Sequence, residues 1–241
     1  MNDLAGKTAI VTGASKGIGR AISMALADAG ADLIVAARSM KLLEGLADDI
    51  RRLGRRAHTV TVDVRDEQSV EQLIKRVKAE FGKIDVLVNN AGIGRFAKVV
   101  EMTTTDFDAM FATNIRGTFL CTKAVVPTMI EQQYGDIINI ASLAGRNAFI
   151  GGAGYAASKW AMIGFARSLL LEVRQHNIRV ITICPGSVAT EFDPRTSVLK
   201  SNEHIPKAED IARIVVDALR MPRNVMVSEI DVRPTNPDWK S

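Results

Sequence analysis

Aromatic, cysteine and histidine side chains are scarce in this sequence, and each scarcity removes a class of function. Aromatics are 5% of 241 residues, whereas a nucleic-acid surface needs stacking rings among its cations. Lys and Arg exceed Asp and Glu only by 31 to 27. The one basic run, Arg51, Arg52, Arg55 and Arg56, reads as a solvated helix end, so no nucleic-acid partner is expected. Cys121 and Cys184 lie far apart among apolar residues, which argues against a disulfide framework or a metal site and fits a reducing cytoplasm. No apolar stretch is long enough to span a bilayer, and Met1 to Thr12 carries no export signal. A cytoplasmic protein without a membrane partner is expected.

What is present is ordinary for a globular chain: 47% hydrophobic and 24% charged residues, enough for one domain over 1–241. Short β-branched runs at 7–12, 32–37, 57–61, 84–89, 136–140, 179–184 and 224–232 read as seven strands. Amphipathic stretches such as 18–29, 66–81, 107–130, 155–174 and 208–219 alternate with them. That alternation predicts a doubly wound parallel sheet of the Rossmann type. Runs such as Ile137-Ile138-Asn139-Ile140 are nearly apolar throughout, as when helices cover both faces. Asp66, Glu67 and the Thr103/Asp106 spacing mark helix starts. The aperiodic segment 187–206, punctuated by Pro194 and Pro206, follows a strand's carboxyl end, where it reads as a substrate lid or as a passive surface loop.

Thr12-Gly13-Ala14-Ser15-Lys16-Gly17-Ile18-Gly19 joins the first strand to the first helix. Glycines there permit a tight turn and close approach of a pyrophosphate to the helix amino end. The same residues also match a hydrolase elbow with Ser15 as nucleophile; His58, His176 and His204 do not follow a strand as its base would require. The second strand ends in Arg38, where an acid would favour NAD. A guanidinium suits a ribose 2′-phosphate, with Lys16 adding charge, and NADP(H) is the expected cofactor. As a plain surface cation Arg38 would oppose the dipole of the helix it precedes. Asp63 reads equally as an adenine contact or as a helix-leading loop acid.

Tyr155 and Lys159, four apart on a helical stretch, share one face. An ammonium beside the phenol would draw its pKa toward the working range. Ser142 directly follows the fifth strand, either polarising a substrate carbonyl or capping the next turn. Asn89-Asn90-Ala91-Gly92 ends the fourth strand, approaching a cofactor or bracing the sheet. Asn114 is either a satisfied core amide or part of a water-holding proton relay. Arg95, Arg146 and Phe149, with Phe192, Val198, Leu199 and Ile205 of the 187–206 segment, are expected around the mouth.

In order and spacing, Thr12–Gly19, Asn89–Gly92, Asn114, Ser142, Tyr155 with Lys159, and Pro185-Gly186 resemble the short-chain dehydrogenase/reductase family across nearly the whole chain. The resemblance implies Tyr155 as general acid/base, Lys159 as its partner and a nicotinamide-ribose ligand, Ser142 orienting the carbonyl, and Asn114 holding a water that links the lysine to solvent. It implies cofactor contacts from Gly13, Ser15, Lys16, Gly17, Ile18 and Gly19, from Arg38, Asp63 and Val64, and from Asn90, Ala91 and Gly92. Beyond the sixth strand, Pro185, Gly186, Val188 and Thr190 would join them, Thr190 at the nicotinamide amide. The implied activity is NADP(H)-dependent interconversion of a small ketone or aldehyde and its alcohol, in a homodimer or homotetramer. The alternative is 3-oxoacyl-[acyl-carrier-protein] reduction, which the tail Val227–Thr235 disfavours because those reductases typically end in a glycine-rich segment. Less favoured are a non-catalytic NADP(H) sensor and a serine hydrolase.

Overall fold

Strand residues here are β-branched, apolar and flanked by helices, and they pair into one sheet. The computed structural model describes residues 4–192 and 204–235; Pro194, Val198 and Leu199 lie outside the described residues. The strands are β1 (Thr8–Thr12), β2 (Asp32–Ala37), β3 (Ala57–Thr61), β4 (Val86–Asn89), β5 (Gly135–Ile140), β6 (Ile178–Pro185) and β7 (Glu229–Val232). All neighbouring pairs are parallel, in the order β3-β2-β1-β4-β5-β6-β7. The helices are α1 (Gly17–Asp28), α2 (Met40–Arg52), α3 (Glu67–Phe81), α4 (Thr104–Phe111), α5 (Gly117–Gln132), α6 (Ala153–Val173) and α7 (Ala208–Arg220). None is long and apolar enough to cross a membrane.

Period-two alternation divides the core. Ile138 packs with Ile22, Leu46 and Val215 of α1, α2 and α7, whereas its neighbour Ile137 packs with Leu73, Met129 and Leu169 of α3, α5 and α6. Each such fully buried side chain contributes roughly 1.5–3 kcal/mol. The sequence marks α2 only by the arginines at its end.

Two elements differ from the sequence expectation. The helix expected over 107–130 starts at Thr104, capped by the Thr103 hydroxyl, and widens into a π turn over Ala112–Arg116 before α5. Tertiary hydrogen bonds of Asn114 accompany that turn, and helical periodicity carries no sign of them. The last strand starts at Glu229 instead of Asn224, because β6 offers it pairing only from Thr182 onward. Upstream, the Met221 and Val225 carbonyls accept from Arg179 instead.

Strand order reverses between β1 and β4, and the crevice where open sheets of this kind hold ligands is the one outside their carboxyl ends. The Thr12 hydroxyl donates to the Val88 carbonyl at 3.1 Å and accepts from the Asn90 and Ala91 N–H groups at 3.1 and 3.2 Å. Asn90 Nδ2 in turn donates to the Thr12 and Gly13 carbonyls at 2.9 and 3.1 Å. The two loops that floor the crevice are thereby tied together.

At the opposite edge, Asp136 of β5 is 1% exposed and accepts from Arg179 of β6 at 2.6 Å and from Arg223 at 2.8 and 2.9 Å. Arg179 also donates to the Leu219 carbonyl at 3.0 Å, satisfying an orphan acceptor at the end of α7. Removing the guanidinium leaves a buried carboxylate half-paired. Arg179→Met is therefore expected to lower unfolding free energy by about 3 kcal/mol in urea titration; a loss below about 1 kcal/mol would show that this triad is energetically idle.

Candidate active site

Lys159 anchors the site. Its side chain lies on the first turns of α6, 4% exposed, and Nζ donates to the Ile140 carbonyl at 2.9 Å, at the end of β5. Tyr155, one turn earlier and 8% exposed, sits with its ring centroid 5.8 Å from that ammonium. Ser142 lies two residues beyond Ile140, with its hydroxyl close enough to the Tyr155 phenol to favour the phenolate. The capping reading of Ser142 describes its contacts: the hydroxyl accepts from Ala144 N–H at 3.1 Å, capping the turn Leu143–Gly145, and donates to the Pro185 carbonyl at 3.3 Å.

The electrostatics differ from the sequence expectation. Burial pushes the Tyr155 phenol up to about 12, and the hydrogen bond with Ser142 only partly opposes it. Burial likewise brings Lys159 down to about 8. Desolvation outweighs the attraction expected between phenolate and ammonium, because both groups are sealed from water and 5.8 Å separates cation from ring.

Asn114 is fully buried and its amide is engaged. Oδ1 accepts from Ile93 N–H at 2.8 Å, and Nδ2 donates to the Ile93 carbonyl and the Ser158 hydroxyl, both at 2.9 Å. Ser158 donates onward to the Tyr155 carbonyl at 2.7 Å. The core-amide reading thus describes the side chain. Gly92 is sandwiched here, since a Cβ on it would come 3.3 Å from Asn114 Oδ1 and 3.6 Å from Lys159 Nζ.

The glycine loop fits a pyrophosphate. Gly13 and Gly17 adopt left-handed φ of +63° and +55°, and a Cβ on Gly13 would meet Ala91 Cα at 2.8 Å. Gly19 packs as closely against Asn90 and the Gly13 carbonyl. Lys16 leads into α1 in an extended conformation with no side-chain cap and no acid in the first turn. The first N–H groups of the helix therefore face the crevice beside Ser15, while Ile18 packs toward the core. Thr190 is buried with its methyl 3.8 Å from a Cβ built on Gly17, and Val188 is buried nearby in sequence. Pro185 ends β6, and Gly186 N–H donates to the Val232 carbonyl at 2.8 Å.

Lys16 and Arg38 are both exposed, and neither has a hydrogen bond or ion pair among the described residues. Asp63 makes the contacts of a loop acid. Its carboxylate accepts from Arg65 through both oxygens, 2.6 Å at the shortest, and that guanidinium holds it below the usual carboxylate range. Val64 packs over Gly117 of α5. Sequence reasoning missed Thr12 and Ser158 as bracing hydroxyls, and Phe96, whose ring meets Tyr155 edge-on at 5.3 Å. Phe149 lies 5.9 Å from Phe96 and Phe192 lies 5.9 Å from Tyr155. Hydroxyls at strand ends and phenylalanines in loops are too common for sequence alone to single these out.

Residues 7–198 match the short chain dehydrogenase family. The chain is 42% identical over 214 residues to "Oxidoreductase UcpA" of Salmonella typhimurium, covering 88% of this chain and 75% of that protein. Its structure resembles a metagenomic short-chain oxidoreductase solved in complex with NADP, at TM-score 0.86 and 35% identity over 98% of this chain and 100% of the other. An alcohol dehydrogenase of Thermococcus sibiricus complexed with 5-hydroxy-NADP superposes at TM-score 0.88 and 31% identity, over 97% and 99% of the two chains.

Arg146, expected at the mouth, is turned instead toward β7, where it pairs with Glu229 and, at 3.2 Å, with Asp231. Arg167 of α6 donates to the same Glu229 at 2.7 Å. These guanidiniums, Arg167 foremost, hold the Glu229 carboxyl down at about 2 against an ordinary 4.5. A depressed folded-state value contributes stability that is complete above the unfolded value and is lost as pH falls through the folded one. Glu229→Gln should be less stable than the parent at pH 6, and that gap should shrink as pH falls from about 5 to about 2. A gap independent of pH, measured by denaturant titration, would remove Glu229 from the acid response.

Proposed function

Because the chain belongs to the short-chain dehydrogenase family of oxidoreductases, we propose that it is an NADP(H)-dependent carbonyl reductase acting on a ketone or aldehyde, or on the corresponding alcohol. The observation that carries this reading is the meeting of Ser142, Tyr155 and Lys159 at the sheet rim, beside the glycine loop. When bound, a nicotinamide nucleotide supplies or accepts the hydride.

This chain's residues do the rest. Backbone N–H groups of Gly13, Ser15, Gly17, Ile18 and Gly19 would hold the pyrophosphate at the α1 amino end, and Lys16 and Arg38 would hold a 2′-phosphate. Val64, Asn90, Ala91 and Gly92, with Pro185, Gly186, Val188 and Thr190, would complete the nucleotide contacts. In the reducing direction Tyr155 Oη gives its proton to the carbonyl oxygen, while Ser142 Oγ donates a hydrogen bond to the same atom. Lys159 stabilises the phenolate left behind, and a water held beside Asn114 would return a proton from solvent. Oxidation runs these proton steps in reverse.

Acyl-carrier thioesters are not favoured, since the relatives above are named as oxidoreductases and an alcohol dehydrogenase. Exposed Phe119, Trp160 and Leu171 on α5 and α6 support a homodimer or homotetramer.

Tyr155→Phe should cut kcat for NADPH-dependent carbonyl reduction by at least about 10²–10⁴-fold while leaving the NADPH Kd nearly unchanged. Retained turnover would remove Tyr155 from the chemistry. Arg38→Ala should weaken NADPH by roughly ten- to a hundred-fold, with NADH little affected, because a charge-assisted phosphate contact is among the stronger hydrogen bonds. Equal losses for both nucleotides, measured by fluorescence titration, would overturn the NADP(H) assignment.

A further inference from the structure

Four aromatic rings form a chain at the site. Phe149 lies 5.9 Å from Phe96, Phe96 lies 5.3 Å from Tyr155, and Tyr155 lies 5.9 Å from Phe192. The interplanar angles of 48°, 67° and 51° are tilted to edge-on, the arrangements in which ring quadrupoles attract. Tyr155 is 8% exposed, but Phe149 and Phe192 at the ends of the chain are 44% and 42% exposed. Large apolar rings that open to solvent around a buried reactive hydroxyl form the wall a ligand would cover.

The backbone beneath is shaped for these rings. A Cβ on Gly94 would come within 2.8 Å of Phe192 and 2.9 Å of Phe96, and a Cβ on Gly152 would run into the Phe149 ring. Glycine at both positions lets the rings close over the main chain. Among the described residues, Arg95 pairs with Asp106 at 3.4 Å and donates to the Gly94 carbonyl at 3.1 Å, and Arg146 pairs with Glu229 and Asp231.

We propose that Phe96, Phe149 and Phe192 form an aromatic clamp that selects carbonyl compounds bearing a planar aromatic ring. The clamp rests on the reductase reading above and narrows its substrate class. Phe96 and Phe192 touch Tyr155 directly, so a ring held between them and Phe149 brings its attached carbonyl within reach of the phenol. The three are specificity residues, and none takes part in proton transfer.

The test uses a pair of ketones with the same reacting group, 4-phenyl-2-butanone and 4-cyclohexyl-2-butanone, assayed with NADPH. The phenyl ketone should show a kcat/KM roughly ten-fold above its partner. In Phe149→Leu, a change at an exposed position, that ratio should fall to within about three-fold. Equal values in the parent, or a ratio unchanged in both Phe149→Leu and Phe192→Leu, would overturn the clamp. A binding arm separates this from the reductase reading: saturation-transfer NMR of both ketones with the Tyr155→Phe variant and NADP⁺. Preferential binding of the phenyl ketone, lost in the Tyr155→Phe/Phe149→Leu double variant, supports the clamp even if neither ketone is turned over by the parent, an outcome that would count against the reductase reading alone. No preference in binding overturns the clamp whatever the turnover.

Discussion

The hydrogen bond from Lys159 Nζ to the Ile140 carbonyl is the constraint on which the site depends. A buried ammonium is costly to desolvate, and it is tolerated only where an acceptor is aimed at it. Here the acceptor is the last carbonyl of a central strand, and a slip of α6 by one residue would rotate the lysine off that face by about 100°. One bond therefore fixes the register of α6 against β5. Tyr155 rides one turn before the lysine and Ser142 two residues beyond the carbonyl, so the same bond decides whether phenol and hydroxyl meet.

A second set of contacts fixes the height of that arrangement above the sheet. Asn114 bonds both main-chain groups of Ile93 and the hydroxyl of Ser158, and Ser158 bonds the carbonyl of Tyr155. The loop after β4, the π turn and α6 are thereby one hydrogen-bonded unit. The widened turn over Ala112–Arg116 costs helical geometry, and the amide network compensates for it. Thr12 and Asn90 do the equivalent work between β1 and β4. Cofactor loop and reactive residues are thus positioned by side chains that perform no chemistry themselves.

How much of this was legible in the sequence depended on whether the determinant was local. Tyr155 and Lys159 could be placed on one face because helical period alone brings i and i+4 together, and the glycine loop because its strand-to-helix context is contiguous. The seven strands and their parallel order followed from alternation and apolar runs. Ser142 could be assigned to the sheet rim, but its approach to Tyr155 depends on the β5–α6 register, which no local pattern encodes. The start of β7 was misjudged because its limit is set by β6 and by Arg179, some forty residues upstream. The partners of Arg146 and Asp63, Glu229 and Arg65, were not foreseen, since a charge read in isolation always looks available.

The raised phenol and lowered ammonium are the least expected feature of the site, and they bear on the direction of proton flow. A phenol held at about 12 is fully protonated at neutral pH, the form needed to deliver a proton to a carbonyl oxygen. A lysine near 8 is still mostly cationic at pH 7 yet close to losing its charge, which suits the role proposed for it beside a transient phenolate. Low dielectric explains both. The dry surroundings that penalise each isolated charge also strengthen the attraction between phenolate and ammonium once both exist. Part of that dryness comes from Phe96 and Phe192 packed against the tyrosine, so a substrate ring that covered them would exclude more water and favour the proton transfer further.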